Sequence, residues 1–419
     1  MSASCLLLLP ALLGAGPTHI TLVVGGDVIP HDPVKATARD HARANEDHQS
    51  QNHVGWDHVF GPVAGVLRSA DLAFVNLETP IIQGRGLHGS EMVFSAPPSM
   101  AEALATAGVD VVSTANNHAR DQSLAGIVET LGHLKAAGLA STGTGATMAE
   151  AWRPAVLERG GVRVGFLAIT RWLNNIENKG PKRPYVAMVK YPTDPLQGAV
   201  GIPYALEQVK EAAAACDFLV VSVHWGEEYA TGPRNDDRRF AARLLEAGAG
   251  AVVGGHPHVL QPIARQTTAS GRVGVILYSM GNLVSNQGFG FEADWRDSML
   301  ARLTLVRGED GGVTLGAVEA LPLWTENRRS RKDGKVKSNI QPVLIDDEVS
   351  AISERLVELA GRSDAESDRE ARALRKRLAL TQRRRALIAK TIGAEFLPPP
   401  QPAATAAKAA TVAQVPAHP

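Results

Sequence analysis

Five short, widely separated segments carry residue types that bind divalent metal ions. They are Gly25-Gly26-Asp27, Asn76-Leu77-Glu78, Asn116-Asn117-His118, His224-Trp225-Gly226 and Gly255-His256-Pro257-His258. Asp27, Asn76, Asn117, His224 and Gly255 each follow a short apolar stretch, at 22–24, 72–75, 109–112, 218–223 and 251–253. A β-strand that runs into a polar turn delivers its last residues to one edge of a sheet. Five such edges in one sheet, carrying Asp, Glu, Asn and His, make a mixed oxygen and nitrogen cage. That donor set suits Mn, Zn or Fe, and one or two ions.

Taken singly, each segment has an ordinary structural explanation. Gly-Asp after a strand is a common turn. Asn-Asn-His can cap a helix. His256 and His258 flank a proline and belong to a rigid turn. The ordered set of five, each at a strand end, is what points to a metal centre.

The elements that must position these residues follow a β-turn-α rhythm. Segments 63–69, 123–137, 204–215 and 236–247 read as helices, as does a stretch that starts within 96–99 and runs through 107, with Gly108 and Gly138 as C-terminal stops. Between them lie the apolar strands named above and another at 162–169. Segments 273–278, 299–306 and 313–321 read as consecutive strands without intervening helices. Alternating units followed by a strand run predict an α/β fold of two sheets packed together and covered by helices. Residues 31–58 are polar and hold His31, His41, His48, His53 and His58. Their spacing matches no ligand motif, so the stretch is expected to form a loop or helix over the site mouth.

Length and charge set broad bounds. The 419 residues allow one large domain with appendages, or two domains. Lys+Arg and Asp+Glu are both 43, so nothing global favours nucleic acid. An anionic substrate would have to be held by local charge or by metal. The only cysteines are Cys5 and Cys216, too few for a disulfide framework or a cysteine zinc site. Cys216 is expected to be an inert packing residue.

Residues 5–15 form an apolar run about the length of a signal-peptide core, without the usual preceding Lys or Arg. Residues 1–17 are therefore a candidate signal segment. Export would place the protein in the cell envelope or outside the cell, and a cytoplasmic location follows if the segment is not a signal. The run is too short to span a membrane as a helix. The main domain is expected over 18–342 and a helical basic extension over 343–395. Segment 348–361 has an apolar stripe at Val349, Ile352, Leu356 and Leu359. Segment 369–392 is densely basic, with Leu374, Leu378, Leu380, Leu387 and Ile388 between the arginines. Such a helix can lie on an anionic membrane or pack on the core through its leucine face; the second is expected here. The Pro/Ala-rich tail, 396–419, is expected to be disordered.

The motif series resembles the CapA family of capsule and poly-γ-glutamate synthesis proteins, a branch of the calcineurin-like metallophosphatases. The resemblance covers about two thirds of the chain, residues 19–284. It rests on Gly26-Asp27, Asp71-Leu72, Asn76-Leu77-Glu78-Thr79-Pro80 and Ala115-Asn116-Asn117-His118. It continues through the helix with Gly126, Thr130, Leu134 and Gly138, then Ser222-Val223-His224-Trp225-Gly226-Glu227-Glu228-Tyr229, Gly255-His256-Pro257-His258 and Tyr278-Ser279-Met280-Gly281-Asn282. The implied fold is the calcineurin-like αββα sandwich, two mixed β-sheets flanked by helices.

The same resemblance implies residue roles. Asp27 and His258 would bind a first metal, Asn117, His224 and His256 a second, and Glu78 would bridge the two. His118 would be the catalytic histidine that stabilises developing negative charge. The ions would activate water and polarise a phosphoryl oxygen. Two departures stand out. Ile29 occupies a position where metallophosphatases usually have a ligand histidine, so the first ion is expected to bind more weakly. Glu78 stands in place of the usual, shorter Asp. Ser123 and Leu283 replace the family's commonest Gly and Phe.

Arg171, Trp225 and Asn282 are candidate substrate contacts near the mouth. Asn282 has a structural alternative, as a hydrogen-bond partner of the 255–258 turn. Two classes of function follow. One is a metal-dependent hydrolase or transferase acting on a phosphoester or an anionic envelope polymer. The other is a non-enzymatic component of a polymer synthesis or export complex.

Overall fold

The apolar runs at 18–28, 72–77, 218–224 and 251–255 become central strands of two stacked sheets in the computed structural model. It describes residues 18–44, 54–84, 92–178, 180–191, 198–288, 293–332 and 335–399. The candidate signal segment at 1–17, His48, His53 and residues 400–419 of the tail lie outside the described residues.

The first sheet has eight strands centred on Thr18–Val28. Leu72–Leu77, Val111–Ser113 and Ala140–Thr142 follow in parallel on one side. Asp297–Arg307, Val313–Asn327 and Ile340–Leu344 follow antiparallel on the other. Asn282–Val284 pairs in parallel with the end of the central strand. The second sheet runs Ile263–Thr267, Val273–Leu277, Ala251–Gly255, Phe218–His224, Val162–Thr170, Ala155–Arg159. Its four middle strands are parallel and its edges antiparallel. The fold is thus the expected α/β sandwich of two mixed sheets flanked by helices.

Strands covered on both faces must be apolar on both, which is why they read as runs and not as alternation. Leu22, Val24, Leu72 and Phe74 of the first sheet meet Val164, Phe166, Val220 and Leu277 of the second in one core. Phe74 and Phe166 stack at 5.6 Å across it. The intervening Val23, Ala73 and Val75 point the other way, toward helices Asp32–Ala44, Trp56–Arg68 and Pro98–Ala107. Helices Ile202–Ala214 and Asn235–Glu246 cover the second sheet, packing Val209, Phe240 and Leu244 on Val221 and Val223. Cys216 is part of this packing, and burial pushes its thiol up to about 11.

Among its described residues, 31–44 and 54–58, the stretch after the first strand packs mainly away from the site. Its helix, Asp32–Ala44, buries Val34 and Ala38 on the outer face of the first sheet. His41 stacks on His58 there at 4.0 Å, and His58 Nε2 lies 2.9 Å from Asn339. The sheet also continues across residue 342, inside the strand Ile340–Leu344.

The basic helix, Ala365–Ile392, packs on the core as expected, though only partly through its leucines, of which Leu374 and Leu378 are half-buried. Leu380 and Leu387 are exposed, while Ile388, part of the expected face, and Ile392 enter the inter-sheet core. Its arginines make much of the attachment. Arg384 bonds Asp297 at 2.7 Å with both side chains buried, Arg377 reaches Glu326 and Glu348, and Arg385 reaches Asp346. The guanidiniums of Arg377 and Arg384 also lie over the Trp324 ring at 4.6 and 4.5 Å. Among the described residues no helix is long and apolar enough to cross a membrane.

Candidate metal centre

The site forms where the carboxyl ends of parallel strands from both sheets face one another, not along one sheet as the strand-end argument supposed. Asp27 is the penultimate residue of the first strand, in register with Asn76 and Asn282. His224 ends its strand beside Gly255. Close approach of these edges requires glycine at two positions. A Cβ on Gly26 would lie 1.9 Å from the Gly281 carbonyl oxygen, and one on Gly255 would lie 2.5 Å from Asp27 Oδ1. The turn after Gly255 is strained, with φ of +92° at His256 and +59° at His258. A hydrogen bond from His256 N–H to Asp27 Oδ2 at 3.1 Å locks it to the other sheet.

Asp27, Glu78, Asn117, His118, His224, His256 and His258 converge and are all buried. Asn76 donates to Asp27 Oδ1 at 2.8 Å and orients it. His258 Nδ1 lies 3.3 Å from Asp27 Oδ2. Glu78 Oε1 lies 3.4 Å from His224 Nε2, 3.8 Å from His258 Nε2 and 4.0 Å from His118 Nε2. Asn117 Oδ1 lies 2.8 Å from His224 Nε2. Two trios of donor atoms come close enough to hold one ion each: Asp27, Glu78 and His224, and Glu78, His256 and His258. Glu78 belongs to both. The trios pair Asp27 with His224 and His256 with His258, a different division from the one the resemblance implies.

The electrostatics fit a cation. Glu78 is fully buried and neither carboxylate oxygen has a hydrogen bond; His256 Nδ1 is also buried without one. An ionised carboxylate held this way costs several kcal/mol unless a positive charge sits beside it. Burial opposes a charge on His258, but Glu78 and Asp27 outweigh it and push its pKa up to about 9. Burial would raise Asp27, yet His258, His224 and Asn76 hold it below the usual carboxylate range. Burial, followed by the neighbouring His224 and His258, keeps His256 well below the usual imidazole range. The residues present therefore fit a divalent ion, with the His258 imidazolium as the positive charge that such an ion would replace.

His118 is held differently. Its Nδ1 pairs with Asp121 Oδ2 at 2.8 Å, and Asp121 also accepts from Phe94 N–H. Its backbone N–H donates to Asn116 Oδ1 at 3.1 Å. The ring is braced from behind and presents Nε2 to Glu78.

The proposed substrate contacts fall elsewhere. Arg171 is fully buried, paired with Asp236 at 2.9 Å and Asp237 at 3.5 Å, and lies over the rings of Tyr191 and Phe240. Its backbone N–H donates to the His224 carbonyl, so it braces the strand end. Trp225 is 1% exposed and donates Nε1–H to the Tyr278 carbonyl. Asn282 is buried; its Oδ1 lies 3.0 Å from His258 Nδ1 and its Nδ2 donates to the His258 carbonyl. That is the structural role its sequence position offered. Asn76 and Asn116, named in the strand-end segments but given no role there, support the site, as does Asp121, which no motif marked.

Fold and site together define a metallophosphatase-like protein: two mixed sheets whose facing strand ends hold a buried Asp, Glu, Asn and His cage. The chain belongs to the bacterial capsule synthesis protein family PGA_cap, whose model matches residues 21–287. It is 30% identical over 260 residues to the PGA biosynthesis protein CapA of Bacillus subtilis (strain 168), covering 61% of this chain and 63% of that protein. It is 28% identical over 281 residues to the capsule biosynthesis protein CapA of Bacillus anthracis, covering 65% and 62%. The match thus spans less than two thirds of either relative's own length. The probable polyglutamine synthesis accessory protein Rv0574c of Mycobacterium tuberculosis (strain ATCC 25618 / H37Rv) is 28% identical over 353 residues, covering 76% of this chain and 88% of that protein.

Proposed function

We propose that this protein acts in capsule or poly-γ-glutamate synthesis as a metal-dependent hydrolase or transferase on a phosphoester or anionic envelope-polymer substrate. The observation that carries the reading is Glu78, a buried carboxylate with no hydrogen bond, surrounded by the imidazoles of His118, His224 and His258. The names of the relatives supply the biological setting, and a setting at the cell envelope or outside the cell goes with it. Asp27, Glu78, Asn117, His224, His256 and His258 would hold one or two ions of Mn, Zn or Fe. Such ions supply Lewis acidity and activate water. His118 stands beside the donors with its ring braced by Asp121, suited to pass a proton or hydrogen bond to a reacting oxygen. Asn76 and Asn282 hold Asp27 and His258 in place.

A second reading, a non-enzymatic component of a polymer synthesis or export complex, is favoured by Ile29. Its side chain is 1% exposed and apolar, at the sequence position where the resemblance puts a ligand histidine. A screen of phosphomonoesters and phosphodiesters on metal-reconstituted protein, with and without His118→Ala, separates the two. Turnover that falls in the variant while metal content holds supports the enzyme. No turnover in either protein, with polymer production lost when the chain is deleted from the cell, supports the component.

A further inference from the structure

Among the described histidines of the 31–58 stretch, His31 stands nearest the centre, one aromatic ring away from His118. It lies four residues after Asp27, at the start of the helix Asp32–Ala44, and its ring is partly exposed. Phe94 stands between it and His118, with ring centroids 5.2 Å from His31 and 4.1 Å from His118. The ring is also tied to the loop after Asn282–Val284, where the backbone N–H of Asn286 donates to His31 Nδ1 at 3.1 Å. That single bond decides the chemistry of the ring. A nitrogen that accepts from an amide keeps its lone pair, so in the neutral ring the hydrogen sits on Nε2. A metal ligand needs the lone pair, which Nε2–H does not offer. Burial and the nearby His258 and His118 push the ring's pKa down to about 4, so it is neutral at ordinary pH. His118 is fixed in the opposite sense, because its Nδ1 faces a carboxylate, an acceptor.

We propose that His31 is a substrate-contact residue that donates its Nε2–H to an anionic oxygen of the substrate, and that it does not replace the ligand missing at Ile29. This rests on the reading of the centre as a metal site for a phosphoester or similar anion. It gives the site two unlike histidines on either side of Phe94: His118, braced for proton transfer, and His31, a fixed neutral donor. A hydrogen bond to a charged oxygen is worth about 1.5–3 kcal/mol, or about 10- to 100-fold in affinity.

The test uses full-length protein reconstituted with Mn or Zn, and orthophosphate as the probe. Bound metal per chain and orthophosphate affinity are measured for the wild type, His31→Ala and His31→Gln. The ¹⁵N shifts of the His31 ring are followed in the wild type as metal is added. The expected result is unchanged metal content, about 10- to 100-fold weaker orthophosphate binding in His31→Ala, and partial recovery in His31→Gln, whose amide keeps a donor. The ring should stay in the Nε2–H form throughout. Loss of one ion in His31→Ala, or a shift of Nε2 to the ligand range on adding metal, would make His31 a metal ligand and overturn the proposal. Orthophosphate binding equal in wild type and His31→Ala would overturn it too, leaving the metal-site reading intact. Wild-type protein that takes up metal but ignores orthophosphate would instead remove the anion-site reading, and this assignment with it.

Discussion

Metal binding at this centre should be a proton-for-metal exchange at His258. The ring is fully buried between Asp27 and Glu78, which raise its pKa to about 9 against the cost of burial. At neutral pH it carries a proton that a metal must displace. Two pH units below that pKa, displacement costs about 2.7 kcal/mol, at about 1.36 kcal/mol per unit. Apparent affinity should therefore be about 100-fold weaker at neutral pH than above pH 9, and should rise about tenfold per pH unit between. His256 adds nothing to this slope, because its pKa is already well below the usual range. Calorimetric titration of apoprotein with Mn or Zn, in buffers of different ionisation enthalpy, counts the protons released. The wild type should release one more proton per chain than His258→Gln at neutral pH. Equal release from the two proteins, or an affinity independent of pH, would refute the reasoning: either the apo ring is neutral or it is not a ligand.

The same shift has a signed consequence for stability. The pKa of His258 is higher in the folded protein than the ordinary value of 6.5, so its contribution is fully present below pH 6.5 and lost as pH rises through about 9. Chemical denaturation of apoprotein should show a loss of about 3 kcal/mol across that window, removed in His258→Gln. Replacing His118 by Ala should leave metal content intact and lower any hydrolytic turnover by about 10²–10⁴-fold, whereas His224→Ala should lose both; metal analysis beside the turnover screen checks this. Arg384→Ala should cost about 3–5 kcal/mol in denaturant unfolding without changing metal content, because it removes the close cationic partner of the buried Asp297. Ser123 adopts a φ of +65°, and Ser123→Gly should stabilise the protein by about 0.5–1 kcal/mol, read as a raised denaturation midpoint.

The sequence made the sandwich and the strand-end residues legible because both are local signals. An apolar run followed by Gly-Asp, Asn-Leu-Glu or Gly-His-Pro-His announces a buried strand and the turn that ends it. It did not show that the ends face one another across two sheets, since nothing local tells which sheet a strand joins. Arg171 and Trp225 looked like site residues because they follow strands that end at the site. Their partners, Asp236, Asp237 and the Tyr278 carbonyl, are distant in the chain, and only the folded structure shows both side chains turned inward. The basic helix was legible only in part for a related reason. Its leucines suggested a core face, but acids on other elements draw its arginines inward and leave Leu380 and Leu387 outside. Ser123 was visible as a departure from the family's usual glycine, and the positive φ supplies the physical reason for that glycine.

The central claim is that Asp27, Glu78, Asn117, His224, His256 and His258 form a divalent-metal centre. It is tested most directly by the metal content of Mn- or Zn-reconstituted protein after extensive dialysis, compared with Glu78→Gln. The wild type should retain at least one ion per chain, and Glu78→Gln, which neutralises the carboxylate shared by both trios, should retain none. A folded wild-type protein that holds no ion, or a Glu78→Gln protein that holds as much as the wild type, would contradict the account.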